Sequence, residues 1–475
     1  MKEKVKKEKR IPSVPEAICG LLLVSVVVLV GLKLGIGSQM ALFLGAVAAI
    51  LVALFFRVPW DEIQATFYKT MSDSLIPIVI LLIVGIMVGA WIIGGTVPSL
   101  MYFGLKMVSP KIILPLTFIL CALMAVFTGT SFGSVATMGL ALTGVAMGMG
   151  MPVPMVVGAV VSGAWFGDKL SPMSDSTNLA SAMTGANLYS HIGSMMWTTM
   201  PATIITIIIY TIIGLGYSSD TADMTNINLM LDTLDATFNI HIVAIIPAIL
   251  MLVVSVLKIP SILGLSGVAI FSIIFAMLMQ GVSFTEVMGA CYSGYQSSTG
   301  VVLVDTILTR GGLTSMMATV ALVLIAGIMG GALKASGVMD VFVEKVLKRF
   351  IKSGKSLVVT TMAYSYFILL ISGSQPLGVV MGGPTFKDAY DEMDLDRKVL
   401  SRALADTSTI GSPLVPWSVG AAYTMGVLGV TAAYVPYAFL CYIVPVFTVI
   451  CAFTGIGMWH RDGTPYWKKK NTAVG

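Results

Sequence analysis

Apolar runs of about twenty residues recur along the chain, at 18–34, 40–56, 75–94, 192–214, 240–257, 262–280, 316–333 and 433–457. Each can cross about 30 Å of hydrocarbon as a helix, because a segment in lipid must satisfy its own backbone hydrogen bonds. Barrel strands would alternate in polarity over about ten residues, a pattern these runs lack. The expected fold is an all-α polytopic membrane protein with about 10–12 membrane segments.

Composition agrees: 57% of the 475 residues are hydrophobic and 11% charged, against about 25% charged in soluble domains. The run 18–34 lacks a small-residue cleavage pattern and is read as a retained first helix rather than a signal peptide. Five scattered cysteines without a C-x-x-C pair predict neither disulfides nor a metal site. The 32 methionines are read as packing between helices. No P-loop, H-E-x-x-H or G-x-S-x-G pattern occurs, so ATP hydrolysis and motif-borne hydrolase chemistry find no support, and no enzymatic activity is expected.

Charge sets orientation. Residues 1–10 carry six Lys/Arg and are placed in the cytoplasm by the positive-inside tendency. The stretch 215–238 has no Lys or Arg but holds Asp220, Asp223, Asp232 and Asp235, which suits the outside. Lys345, Lys348, Arg349, Lys352 and Lys355, and later Arg461 and Lys468–Lys470, suit the inside.

Self-comparison suggests an internal repeat. GIMVGA at 85–90 recurs as GIMGGA at 327–332, followed at equal spacing by Gly95 and Gly337. Upstream, Val58, Trp60, Glu62 and Tyr68 match Val282, Phe284, Glu286 and Tyr292, with an insertion of about 18 residues in the second copy. The predicted organisation is a basic tail (1–10), a first transmembrane repeat (11–215), an acidic extracytoplasmic linker (216–238), a second repeat (239–459) and a basic tail (460–475). A first copy that starts inside and ends outside makes the second its inverse, the arrangement used for alternating access.

Four polar interruptions are candidates for broken helices. FTGTSFGS (127–134) holds Thr130 and Ser131, and ISGSQPLG (371–378) holds Ser374 and Gln375. The other two are the stretch 167–178 and ADTSTIGSPLVPWS (405–418). Pro172 and Pro413 disfavour helix at the preceding residue, while Ser, Asp and Asn offer the backbone competing hydrogen bonds. An opened backbone in lipid leaves carbonyls to be satisfied by protein, water or an ion, and a hard cation prefers such oxygens.

An ionised Asp at the helix centre costs about 2.5–3.5 kcal/mol on insertion scales, so an acid there points to function. Asp168 and Asp175 are expected to line one cavity across a break at Pro172. Lys169 is expected to pair with Asp168, with Asp175 or with an anionic substrate. His191 is a candidate proton carrier or cap. The charge-dense stretch 385–402 is placed at the water boundary, with Asp388 and Arg402 as candidate gates. Asp305 and Arg310 are assigned to an interfacial amphipathic segment, and Asp73 to the interfacial start of a helix.

GDKLSPMSDSTNLA (167–180), with ILTRGGLTSMM (307–317), the chain length and the helix layout, resembles the NhaC family of sodium/proton antiporters. The resemblance implies a bacterial inner-membrane protein, often a homodimer. It would exchange Na⁺ for protons, and close relatives exchange malate with protons for lactate with Na⁺. It implicates Asp168, Ser171, Asp175, Thr177 and Asn178 in holding Na⁺ or protons in competition. The repeat argument adds Asp406, Thr409 and Ser412 to the oxygen cage. No cofactor is implied beyond the transported ions. A small carboxylate, met by Lys169, Arg402 and the serine-rich breaks, or an amino acid is the alternative substrate.

Overall fold

The computed structural model describes residues 9–72, 75–107, 109–172, 174–217, 224–257, 259–342, 344–345 and 348–467. Asp73, Asp220, Asp223, Lys468–Lys470 and the first eight residues, on which some of the expectations above fall, lie outside these.

The first half comprises α1 (Val14–Lys33), α2 (Ser38–Phe55), α3 (Trp60–Ser72), α4 (Leu75–Ile93), α5 (Thr96–Met107) and α6 (Pro110–Thr128). It continues with α7 (Ser131–Ser134), α8 (Leu140–Gly148), α9 (Val153–Leu170), α10 (Asp175–Thr184) and α11 (Leu188–Leu215). The region expected to be a linker contains a helix, α12 (Met224–Thr237). The second half has α13 (Ile246–Val256), α14 (Ser261–Gln280), α15 (Phe284–Ser293), α16 (Val302–Leu308), α17 (Met317–Ala335) and α18 (Val338–Phe342). Then follow α19 (Gly354–Ser372), α20 (Gln375–Glu392), α21 (Arg397–Leu404), α22 (Val419–Leu428) and α23 (Phe439–Thr454). Among the described residues, β-structure is limited to isolated bridges at Leu395–His460 and Trp459–Pro465.

The protein is an all-α polytopic membrane protein. Six helices are long and apolar enough to cross a bilayer among the described residues, or up to eight if each of two bent pairs is one span. Three shorter apolar helices, Gln39–Phe55, Pro110–Val126 and Phe439–Thr454, accompany them. The outer helices turn large apolar side chains outward, as Leu22, Val26 and Leu29 on α1 and Ile204, Ile208 and Ile212 on α11 do. Such a surface suits lipid and would be a liability in water. By contrast α8 and α9 are buried over most of their length.

The halves interlock reciprocally: α4 packs on α14 and α15, and α17 packs on α2 and α3. Within the first half α6 and α9 form the tightest pair. A Cβ on Gly163 or Gly167 would sit 2.3 or 2.4 Å from the carbonyl oxygens of Phe118 or Ala122. Only glycine permits that approach, and close backbone packing is what holds helices together where lipid removes the hydrophobic drive. It fixes the C-terminal end of α9, where Asp168 and Lys169 sit, against a rigid neighbour.

Candidate functional site

Each of the four polar interruptions is a break in helix. At the first, α6 ends in left-handed Gly129 (φ 69°), and at the second α19 ends in left-handed Gly373 (φ 64°). At the third, α9 stops at Ser171, whose backbone is extended before Pro172, and α10 restarts at Asp175 under a Ser174 cap. At the fourth, α21 widens into a π turn, Ala405–Thr409, and helix resumes as α22 under a Ser418 cap. A second π turn, Val135–Gly139, lies between α7 and α8. Such turns leave carbonyls without regular helical partners and mark functional segments.

Asp168 occupies the last turn of α9 and is 6% exposed. Its carboxylate accepts from Ser174 Oγ at 2.6 Å and from Ser131 Oγ at 3.2 Å, so the break after α6 and the break after α9 meet on one acid. Thr177 Oγ1 donates to the carbonyls of Asp168 (3.2 Å) and Lys169 (2.9 Å), and Ser171 Oγ donates to Val126 O at 2.8 Å. Asn178 braces the turn itself, its amide donating to the carbonyls of Pro172 (3.0 Å) and Ser174 (2.8 Å). No Lys, Arg or His of the described residues forms an ion pair with Asp168. The result is a buried carboxylate surrounded by hydroxyls and carbonyls, with no fixed counter-ion.

Lys169, one residue on, points to the other half. Its ammonium pairs with Asp406 of the π turn Ala405–Thr409, both side chains being fully buried. Thr199 Oγ1 accepts from Lys169 Nζ at 2.7 Å, and Thr448 Oγ1 donates to Asp406 at 2.5 Å. Of the pairings expected for Lys169, those with Asp168 and Asp175 are corrected: its partner is Asp406. Adjacent residues on a helix point about 100° apart, so Asp168 and Lys169 serve different neighbours. Thr199 and Thr448 carried no sequence signal, since each lies in a long, mainly apolar run.

Asp175 is the first residue of α10 and is exposed, whereas Asp168, with which it was expected to share a cavity, is buried. The reason is local: Ser174 takes the capping position and Asp175 begins the helix facing outward, where its charge suits the N-terminal dipole. Asn178 lies on the same exposed side.

In the second half Gln375 Nε2 reaches Thr409 Oγ1 at 3.4 Å, and Ser408 Oγ donates to Gln375 O at 2.7 Å. The break after α19 is thereby tied to the π turn, as Ser131 ties its counterpart to α9. Ser374 and Ser412 are buried; Ser412 Oγ lies 3.4 Å from Ser418 Oγ. Thr130 caps α7, its hydroxyl accepting from Gly133 N at 3.5 Å.

Arg402, expected near water, is fully buried. It donates through Nη1 to the carbonyls of Ser194 and Gly457 and lies 5.9 Å from the centre of the Trp459 ring. Charge density in 385–402 misplaced it, because only the first two residues of α21, Arg397 and Lys398, are partly exposed, and Val399–Leu404 are buried on every side. Asp388 is exposed, and Asp391 takes a two-point contact from Arg397 (3.2 and 2.6 Å) at that wet end. His191 is buried, with Nδ1 2.7 Å from Ser401 Oγ, and so joins α11 to α21.

Comparison with known proteins agrees with this geometry. The Na⁺/H⁺ antiporter family matches over residues 163–456, a span that begins just before Asp168 and runs past Thr448. A malate-2H⁺/Na⁺-lactate antiporter of Bacillus subtilis (strain 168) is 33% identical over 456 residues, covering 96% of this chain and 97% of its own. The Na⁺/H⁺ antiporter NhaC of Alkalihalophilus pseudofirmus is 34% identical over 418 residues, covering 87% and 90%. The arginine/ornithine antiporter ArcD of Halobacterium salinarum is 32% identical over 437 residues, covering 90% and 89%.

Proposed function

The chain belongs to the Na⁺/H⁺ antiporter family, and from that premise we propose that it is a secondary-active Na⁺/H⁺ antiporter in which Asp168 takes up Na⁺ and protons in turn. The observation that carries the reading is a buried carboxylate with hydroxyl and carbonyl neighbours and no fixed counter-ion. Such a charge is costly in a low-dielectric interior and is relieved either by a proton or by a small cation.

The neighbours suit both occupants. A hydroxyl donates to an ionised carboxylate, and by turning about its C–O bond it offers lone pairs to a cation. Ser131 and Ser174 therefore support Asp168 when it is empty and face Na⁺ when it is loaded. Thr177 holds the carbonyls of Asp168 and Lys169 within the same turn. Protonation and Na⁺ binding each neutralise Asp168, so either loaded form crosses the apolar barrier more readily than the empty site, and the two ions compete for one position.

The Lys169–Asp406 pair supplies the coupling between halves. Removing one partner would strand a buried charge, so the pair favours the arrangement in which the ends of α9 and α21 stay together. In this reading the two halves are inverted repeats that rock about these breaks, with both termini in the cytoplasm and the chain in a bacterial inner membrane as a homodimer. Asp175, exposed at the start of α10, serves as an outer acid that draws cations toward the break. Thr409 and Ser412 steady the opposite break, and His191 and Arg402 close the inner end of α21.

The test is reconstitution into proteoliposomes containing a pH dye. Adding Na⁺ outside should alkalinise the lumen by driving protons out, and Asp168→Asn should abolish the response while the protein remains monodisperse. Full exchange in Asp168→Asn would remove that carboxylate from the mechanism. A second reading, exchange of a small carboxylate together with Na⁺ and protons, is favoured by the malate-lactate relative's near full-length match.

A further inference from the structure

A cavity of about 510 Å³ opens beside the C-terminal half of α22. Its polar lining is Gln39, Thr309, Arg310, Ser315, Thr319 and Thr431, and none of its lining residues is acidic. Arg310 is its single charged side chain. Expected on an interfacial segment, it instead turns into the fold. The segment that carries it is pinned back on the helices: Tyr295 N donates to Arg310 O, Leu313 N to Cys291 O, and Gly312 N to Gly85 O.

The guanidinium is only partly used. Nη1 donates to Leu428 O, capping α22, and Nη2 lies 4.0 Å from the sulfur of Met147, a weak acceptor. Its neighbour in sequence, Asp305, is committed elsewhere. That carboxylate accepts from Ser297 Oγ (2.7 Å), Thr299 N (2.8 Å) and Thr299 Oγ1 (2.8 Å). No acid of the described residues pairs with Arg310. A half-buried cation with donors to spare, facing a cavity of hydroxyls and amides without an acid, selects for an anion. A planar carboxylate is the anion whose two oxygens match a guanidinium edge.

Position adds a second argument. The cavity also reaches Pro416, in the break between the π turn and α22. Two residues on, Ser418 both donates to Ser412 O and caps α22 by accepting from Ala421 N. An anion seated here would bear on the break that holds Asp406, and it would do so away from the Na⁺ position at Asp168.

We propose that the Arg310 cavity is a binding site for a small organic carboxylate, separate from the cation site, through which such an anion engages the transport cycle. This rests on the second reading above. Arg310 neutralises the carboxylate as Asp168 neutralises Na⁺, and the hydroxyls of Thr309, Ser315, Thr319 and Thr431 and the amide of Gln39 meet its remaining polar atoms.

The experiment uses the full chain in proteoliposomes, with uptake of labelled malate and lactate supplied as sodium-free salts, and with sulfate as an inorganic control. Saturable uptake of at least one carboxylate is expected, driven by a Na⁺ or proton gradient. Arg310→Gln should raise its half-saturation by roughly tenfold or more, the scale of one lost charge-assisted hydrogen bond. Arg310→Lys should fall between. Gln39→Glu leaves Arg310 and the α22 cap in place but puts an acid on the cavity wall, and should raise half-saturation several-fold. It decides the matter if Arg310→Gln does not fold. Proton movement driven by Na⁺ alone is read in the same vesicles. If it is present in wild type while neither carboxylate is taken up, this proposal fails and the antiport reading stands. Uptake unchanged in Arg310→Gln and Gln39→Glu, or competed equally by sulfate or by added anionic lipid, would also overturn it.

Discussion

The break at 168–175 and the break at 405–418 are built from the same parts and differ in where the charge sits. Each contains a Ser-Pro step, Ser171-Pro172 in one and Ser412-Pro413 in the other. Each restarts under a serine cap, Ser174 or Ser418, and each short helix closes on a left-handed glycine, Gly185 (φ 72°) or Gly429 (φ 60°). In the first, the acid stands in the last helical turn among hydroxyls and has no ion-pair partner among the described residues. In the second, the acid lies inside a π turn and is already neutralised by Lys169 of the first. One scaffold thus yields an unclaimed carboxylate on one side and a claimed one on the other. The difference teaches which acid is free to take an ion.

That comparison can be broken in stages. The largest effect is expected from Asp168→Asn, which should lower the Na⁺-driven pH change by at least about a hundredfold, because a buried carboxylate without an ion-pair partner among the described residues is gone. Retention of more than a tenth of the wild-type rate would show that the two acids are not divided in this way. Next come Lys169→Met and Asp406→Leu. Each alone leaves a buried charge unpaired and should cost about 3–5 kcal/mol of stability, read as a large drop in thermal unfolding temperature in detergent. The double variant should recover much of that loss, since two apolar residues replace a pair. Additive losses would mean that the two side chains do not act on each other.

A smaller effect is expected at the turn. Thr177→Val removes the hydroxyl that spans the Asp168 and Lys169 carbonyls and should cost about 1 kcal/mol, with Na⁺ half-saturation rising several-fold and maximal rate less affected. Gly373→Ala should destabilise by about 1–2 kcal/mol. Its φ of 64° disfavours a side chain, and an added Cβ would lie 2.7 Å from Trp417 O. Smallest is Asp175→Asn. An exposed acid should alter Na⁺ half-saturation by about twofold or less, and only at low ionic strength, where surface charge still attracts cations. Abolished exchange in Asp175→Asn would restore the two-carboxylate cavity that the sequence alone suggests.

Several of these features were legible in the chain because they are local. Proline disfavours helix at the residue before it, and Ser, Thr, Asp and Asn offer the backbone competing hydrogen bonds, so all four interruptions could be placed from residue type. Charge density alone was a poorer guide. It put Arg402 in water because it counts the charged start of α21 and not the burial of Val399–Leu404 that follows, and spacing alone left out that Asp175 is exposed where Asp168 is buried.

By itself, the sequence determined that helices cross a membrane, where they break, and that Asp168 is a buried-acid candidate, since all of these follow from hydropathy and backbone preferences within a few residues. Only the tertiary structure decided which acid is neutralised. Lys169 and Asp406 stand on opposite halves of the chain, and an ion pair depends on distance in space and on the direction of each side chain. That direction was set when α9 packed on α6 through Gly163 and Gly167, and no pattern along the chain records it.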